Sequence, residues 1–346
     1  MRIPTGLAWL MVVMTLATAS LLRQYNAGTP ESPYVPPIVG SLLFAAIFVL
    51  LLVTARERQR GAVPGPGLRL GTITPLLLML LVEKWLSLYA YGWFFSLFPS
   101  RGGSILLDDA RYRAFAGIAL IGVCLLVAAF SVPTARKVMR RARPARFLRA
   151  AGGTGAVILA TYFSLYVLAS LRGARFELSW PEPSEWLIWA LVGQALLAFG
   201  EEAYYRGLLM GELERLAPRL RLSTPPARRW FALLATSLLF GVEHILLQPP
   251  WTSTIRQLLF TVCLGVLFGL IVMISANLHF SAGIHAWINW LLLGAAPHFV
   301  GSDGQPALPP GAYIAVMLVF AFFVAYVLRR RRAHYTSSVA PVSAVR

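Results

Sequence analysis

The stretch WLIWALVGQALLAFGEEAYYRGLLM, from Trp186 to Met210, is long enough to cross a bilayer and almost wholly apolar, yet its second half carries Glu201, Glu202 and Arg206. About 20 apolar residues span the hydrocarbon core, so the run reads as a transmembrane helix. A charge at the bilayer centre costs at least ~2.5–3.5 kcal/mol on insertion scales; such residues face the bundle interior and mark function. Two later apolar stretches carry comparable groups, His244 in the first and His285 with Asn289 in the second. Carboxylates, imidazoles and an amide inside a membrane suggest chemistry.

The rest of the chain fits the membrane class. It is 58% hydrophobic and 13% charged, against ~25% charged in soluble proteins. Ten apolar segments of spanning or near-spanning length are predicted: Thr5–Leu22, Ile38–Ala55, Ile73–Phe98, Phe115–Val132, Ala151–Leu171, Trp186–Met210, Trp230–Leu247, Ile255–Ser275, Leu278–Ala296 and Ala312–Leu328. These are continuous runs rather than the alternating segments of ~10 residues that build a membrane barrel. The expected fold is an all-α polytopic bundle with both termini inside. Arg2 ahead of an apolar run resembles a signal peptide. The next segment follows so soon that an uncleaved first span is the expectation.

The net charge of +17 invites a nucleic-acid reading, but its distribution argues otherwise. With alternating spans and an inside N-terminus, 22 of the 31 Lys and Arg residues fall on the cytoplasmic side, seven outside (counting Arg256 at the outer edge of its span), and Lys84 and Arg206 within spans. That is the positive-inside rule, and no nucleic-acid partner is expected. The basic run from Arg136 to Arg149 is placed to meet anionic lipid headgroups on the cytoplasmic side. Of the basic residues 29 are Arg, a bias that points to a GC-rich genome and hence to a bacterial cytoplasmic membrane. Cys124 and Cys263 lie in separate spans, with no disulfide framework or clustered metal site. Gly265 and Gly269 form a close-packing pair. Glu83 and Lys84, adjacent and on different faces, are expected to find partners on other helices.

The polar intramembrane residues concentrate between Gly200 and Asn289. Residues 1–180 are accordingly read as an accessory helical region, 181–298 as the core, and 299–346 as a last span with a basic tail.

Helical geometry divides the first motif. Residues four apart share a face, while neighbours are about 100° apart. Glu202 and Arg206 can therefore pair, neutralising two buried charges. Glu201 points elsewhere, with no obvious local partner, in a low-dielectric site where a carboxyl can act as general base or acid. In the second motif His244 lies one short loop beyond the Glu201 span and can help hold a water. Phe240 is one turn back on the same face. In the third, His285 and Asn289 share a face, so both can donate to one oxygen, as an oxyanion hole requires. His279, about 240° round from His285, is expected off the site. Each motif also has a purely structural reading as a buried ion or hydrogen-bond network.

The series Glu-Glu-x-x-x-Arg, Phe-x-x-x-His and His-x-x-x-Asn on near-successive spans resembles the CAAX prenyl protease type II and bacteriocin-processing family of intramembrane proteases. The resemblance covers about 185–297. It implies peptide-bond hydrolysis by a glutamate-activated water, with no cofactor, on a membrane-associated protein or peptide. By position, Glu201 would be the base and His244 would position the water. His285 and Asn289 would stabilise the oxyanion, and Glu202, Arg206 and Phe240 would support the site. The family has also been described as metalloproteases, so a zinc ion held by Glu201, His244 and His285 is an alternative. So are a proton- or ion-coupled transporter, since intramembrane Glu, His and Arg also build relays, and an immunity-type scaffold.

Overall fold

The computed structural model describes Leu80 and residues 105–129, 144–171, 176–245, 251–302 and 304–338. The first two expected spans, the third apart from Leu80, the Glu83–Lys84 pair and the chain beyond Ser338 lie outside the described residues.

Helices α1 (Ile105–Ala129) and α2 (Pro144–Leu171) precede a short strand β1 (Glu177–Ser179). Then α3 (Glu185–Glu202) passes into a π-helical segment (Ala203–Leu209), α4 (Met210–Leu216) and a 3-10 turn (Ala217–Leu220) without a break. Helices α5 (Pro225–Ile245), α6 (Trp251–Ser275) and α7 (Leu278–Leu292), strand β2 (His298–Val300) and α8 (Pro310–Ser338) complete the described chain. The two strands pair antiparallel with Leu178 opposite Phe299, tying the segment before α3 to the segment after α7.

Among the described residues, three helices are long and apolar enough to cross a membrane: Ala145–Leu171, Ile255–Ser275 and Pro310–Arg330. Their outward faces carry large apolar side chains, with Leu159 73%, Phe163 70% and Val319 68% exposed. Water would penalise such faces and lipid does not. The inward faces of α2, α6, α7 and α8 meet in one core that buries Phe268, Ile271, Phe280, Ile284, Met317 and Ala321 completely.

Local sequence sets the ends that matter. Ser184 caps α3 by accepting from Leu187 N–H at 3.1 Å, with Glu185 in the first turn favouring the positive end of the helix. Only Ala276 and Asn277 separate α6 from α7. Ala276 takes the left-handed conformation, φ 49°, while Asn277 caps α7 by accepting from Phe280 N–H at 3.4 Å. This reversal folds α7 back against α6 with its polar face towards α3.

Small residues bring the site helices together. A Cβ on Gly200 would stand 2.8 Å from Gly117 O, so α1 and α3 touch backbone to backbone. One on Gly265 would meet Ser237 Cβ at 3.1 Å and Arg206 Nη2 at 3.3 Å. The expected packing role of Gly265 thus extends to the ion pair beside it. Gly265→Val should overpack this contact and cost about 1–3 kcal/mol. Thermal unfolding in detergent reads this directly, and wild-type stability would show that α5 and α6 are not closely apposed there.

Candidate active site

The site is built around Glu202. It is fully buried, and its carboxylate takes three partners from three directions. Arg206 Nη1 stands 3.3 Å away on the same helix, the pairing that i,i+4 spacing predicts. Ser281 Oγ of α7 donates to Oε2 at 2.9 Å, and His285 Nδ1 lies 3.2 Å from Oε1. A buried carboxylate is tolerable only when its charge is paired and its oxygens are hydrogen-bonded; Glu202 has Arg206 for its charge and one hydrogen bond to each oxygen.

Arg206 is fixed as firmly. Its Nη2 donates to Gly265 O of α6 at 3.1 Å, reachable because Gly265 has no side chain in the way. Its guanidinium lies 4.5 Å over the Phe240 ring, a desolvated cation–π contact. Glu202 and Arg206 straddle the start of the π segment, where Met210 N–H reaches back to Tyr205 O. Such a turn is one residue wider than an α turn, and π turns recur at functional sites.

Glu201 is not isolated. Its Oε2 lies 3.5 Å from His285 Nε2, so neighbouring carboxylates about 100° apart grip one imidazole by its two nitrogens. Their surroundings differ: the Glu201 side chain is 13% exposed and that of Glu202 0%. The His285 ring is also stacked on Phe268 at 4.5 Å, which leaves it little freedom to turn.

His244 makes no hydrogen bond or ion pair with Glu201. Its ring packs on Phe240 at 4.4 Å, and Phe240 in turn meets the edge of His285 at 5.9 Å. His244 Nδ1 lies 2.8 Å from Phe240 O. A carbonyl only accepts, so Nδ1 carries the proton and Nε2 of the neutral ring is left as an acceptor.

His285 and Asn289 lie on one face of α7, and each also has a partner on α3. The Asn289 amide is 3.0 Å from the side-chain amide of Gln194, two turns before Glu201 on α3. Trp290 Nε1 donates to Leu191 O at 3.1 Å, fixing α7 against α3 at the same level. His279 is off the site, stacked on Phe199 at 5.4 Å. Among the described residues, no three His, Cys, Asp or Glu side chains are arranged to hold a metal ion. Glu201, His244 and His285 as placed do not fit a three-ligand zinc site.

Two contributors escaped the sequence reading, and both had a signal. Ser281 lies four residues before His285, as Asn289 lies four after, making one polar face. Gln194 was a buried amide in an apolar run, overlooked beside the charges that follow it.

Residues 183–291 match the family model described as type II CAAX prenyl endopeptidase Rce1-like. Neither the curated proteins nor the solved structures compared gave a match.

Proposed function

We propose, from the match of residues 183–291 to the type II CAAX prenyl endopeptidase Rce1-like family model, that this chain hydrolyses a peptide bond of membrane-associated proteins or peptides within its helical bundle. The observation that carries the assignment of roles is the unequal treatment of the two glutamates. Glu202 is saturated by Arg206, Ser281 and His285 and is shut off from substrate. Glu201 keeps some exposure and a single imidazole partner.

In this reading Glu201 takes a proton from water as the water attacks the scissile carbonyl. His244, with Nε2 as acceptor, orients that water. Asn289 and His285 Nε2, when protonated, donate to the oxygen that becomes negative. The amine leaves with the proton that Glu201 gained. Phe240 packs between His244 and His285, and the Arg206–Glu202 pair holds the carboxylate-bearing turn in place. The basic loops face the cytoplasm of a bacterial inner membrane, with ten spans and both termini inside.

The test is cleavage of a panel of membrane-associated peptides by the purified full chain in liposomes, with products identified by mass spectrometry. Wild-type protein should give discrete products. Asn289→Ala should slow their appearance by about 10²–10³-fold, the usual effect of removing one oxyanion donor. Equal rates in the two proteins would dismiss the role given to Asn289.

A further inference from the structure

We infer that Arg113, on a helix outside the family match, is a positioning residue that sets which end of the Asn289 amide faces the substrate, acting through Gln194. The inference rests on the oxyanion role proposed for Asn289.

The chain of contacts runs from α1 to α3 to α7. Arg113 Nε and Nη1 both lie 3.2 Å from one end of the Gln194 amide. The other end of that amide is 3.0 Å from the Asn289 amide. Gln194 is buried, at 1% exposure, so the choice of orientation is not left to water. The two ends of an amide look alike in outline and are told apart by their partners.

Arginine has donors and no acceptor. The Gln194 end that faces Arg113 must therefore be its oxygen, and its NH2 then points at Asn289. Facing a donor, Asn289 must present Oδ1 to Gln194. Its NH2 is thereby turned away from Gln194 and left for a substrate oxygen. Were Gln194 to present its oxygen to Asn289 instead, two sets of donors would face each other at Arg113 and Asn289 would spend its NH2 on Gln194. One guanidinium in the N-terminal half of α1 thus decides, two residues away, whether Asn289 can serve an oxyanion. The close α1–α3 contact at Gly193, where a Cβ would stand 3.1 Å from Ala114 N, is what brings Arg113 within reach.

Substitution at Gln194 separates the polarity of the amide from its shape. Gln194→Glu keeps shape and burial and adds an ion pair to Arg113, but a carboxylate can only accept. Asn289 must then donate its NH2 to it. The expected result is a kcat lowered about 10²–10³-fold with KM little changed and no loss of thermal stability, matching Asn289→Ala. Adding Gln194→Glu to Asn289→Ala should cost nothing further. Arg113→Met should lower kcat about 10–100-fold, the usual scale for an outer-shell partner, and Arg113→Lys should restore most of it.

If Asn289→Ala loses activity while Gln194→Glu stays within about threefold of wild type, the polarity relay is wrong and the oxyanion role stands. Should Asn289→Ala itself keep full kcat, the oxyanion role falls and the relay with it. If Gln194→Glu does not fold, the Arg113 pair decides: equal kcat in Arg113→Met and wild type overturns the relay.

Discussion

An Arg206→Ala protein is expected to lose about 3–5 kcal/mol of stability, because removing one member of a buried ion pair leaves the other charge uncompensated. The loss falls at the large end for three reasons. Glu202 has no exposure through which water could replace the guanidinium. The Gly265 carbonyl loses its donor, and the Phe240 face loses its cation. Arg206→Lys should recover only part of this. A point charge can serve Glu202 or Gly265 O but does not reproduce the planar fork that reaches both while lying on an aromatic ring. Thermal unfolding in detergent, followed by circular dichroism, measures the effect. An Arg206→Ala protein as stable as wild type would mean that Glu202 is not held as a buried carboxylate.

Glu201→Gln should behave in the opposite way. The amide fills the same space and keeps a polar contact to His285 Nε2, so the unfolding temperature should stay near that of wild type. Cleavage should slow by about 10²–10⁴-fold, the range for a missing general base. Single-turnover rates in liposomes, normalised to folded protein, separate the two effects. Full activity in Glu201→Gln would remove the division of labour between the two glutamates. Together the substitutions form a crossed pair, one residue mattering chiefly for folding and its neighbour for the reaction.

The part of this arrangement that was legible in the sequence is the part fixed by helix periodicity. Glu202 with Arg206, Phe240 with His244 and the polar face of His285 and Asn289 follow from residues four apart sharing a face. The family resemblance, carried by the same three motifs, rests on the same periodicity. What periodicity does not reach is contact between helices. The gripping of His285 by Glu201 and Glu202 depends on how α7 turns back after Ala276 and Asn277. The π segment at Ala203–Leu209 has no sequence signature, since its residues suit an ordinary α-helix equally well.

The accessory region was the least legible. The apolar stretch from Phe115 pointed to a span that begins there, whereas α1 begins at Ile105 and carries Arg113 within it. Hydropathy registers only the lipid-facing length of a helix, and the polar turns before it escape that signal. Gln194, too, was visible but silent, because a neutral amide in an apolar run scarcely lowers its hydropathy.

The most direct test of the account compares membranes of cells carrying wild-type protein with membranes of cells carrying Glu201→Gln at equal expression, by mass spectrometry of protein termini. The account predicts a set of new termini, close to membrane-embedded or membrane-anchored segments, that appear with the wild-type protein and vanish with Glu201→Gln. Identical termini in the two membranes would contradict it.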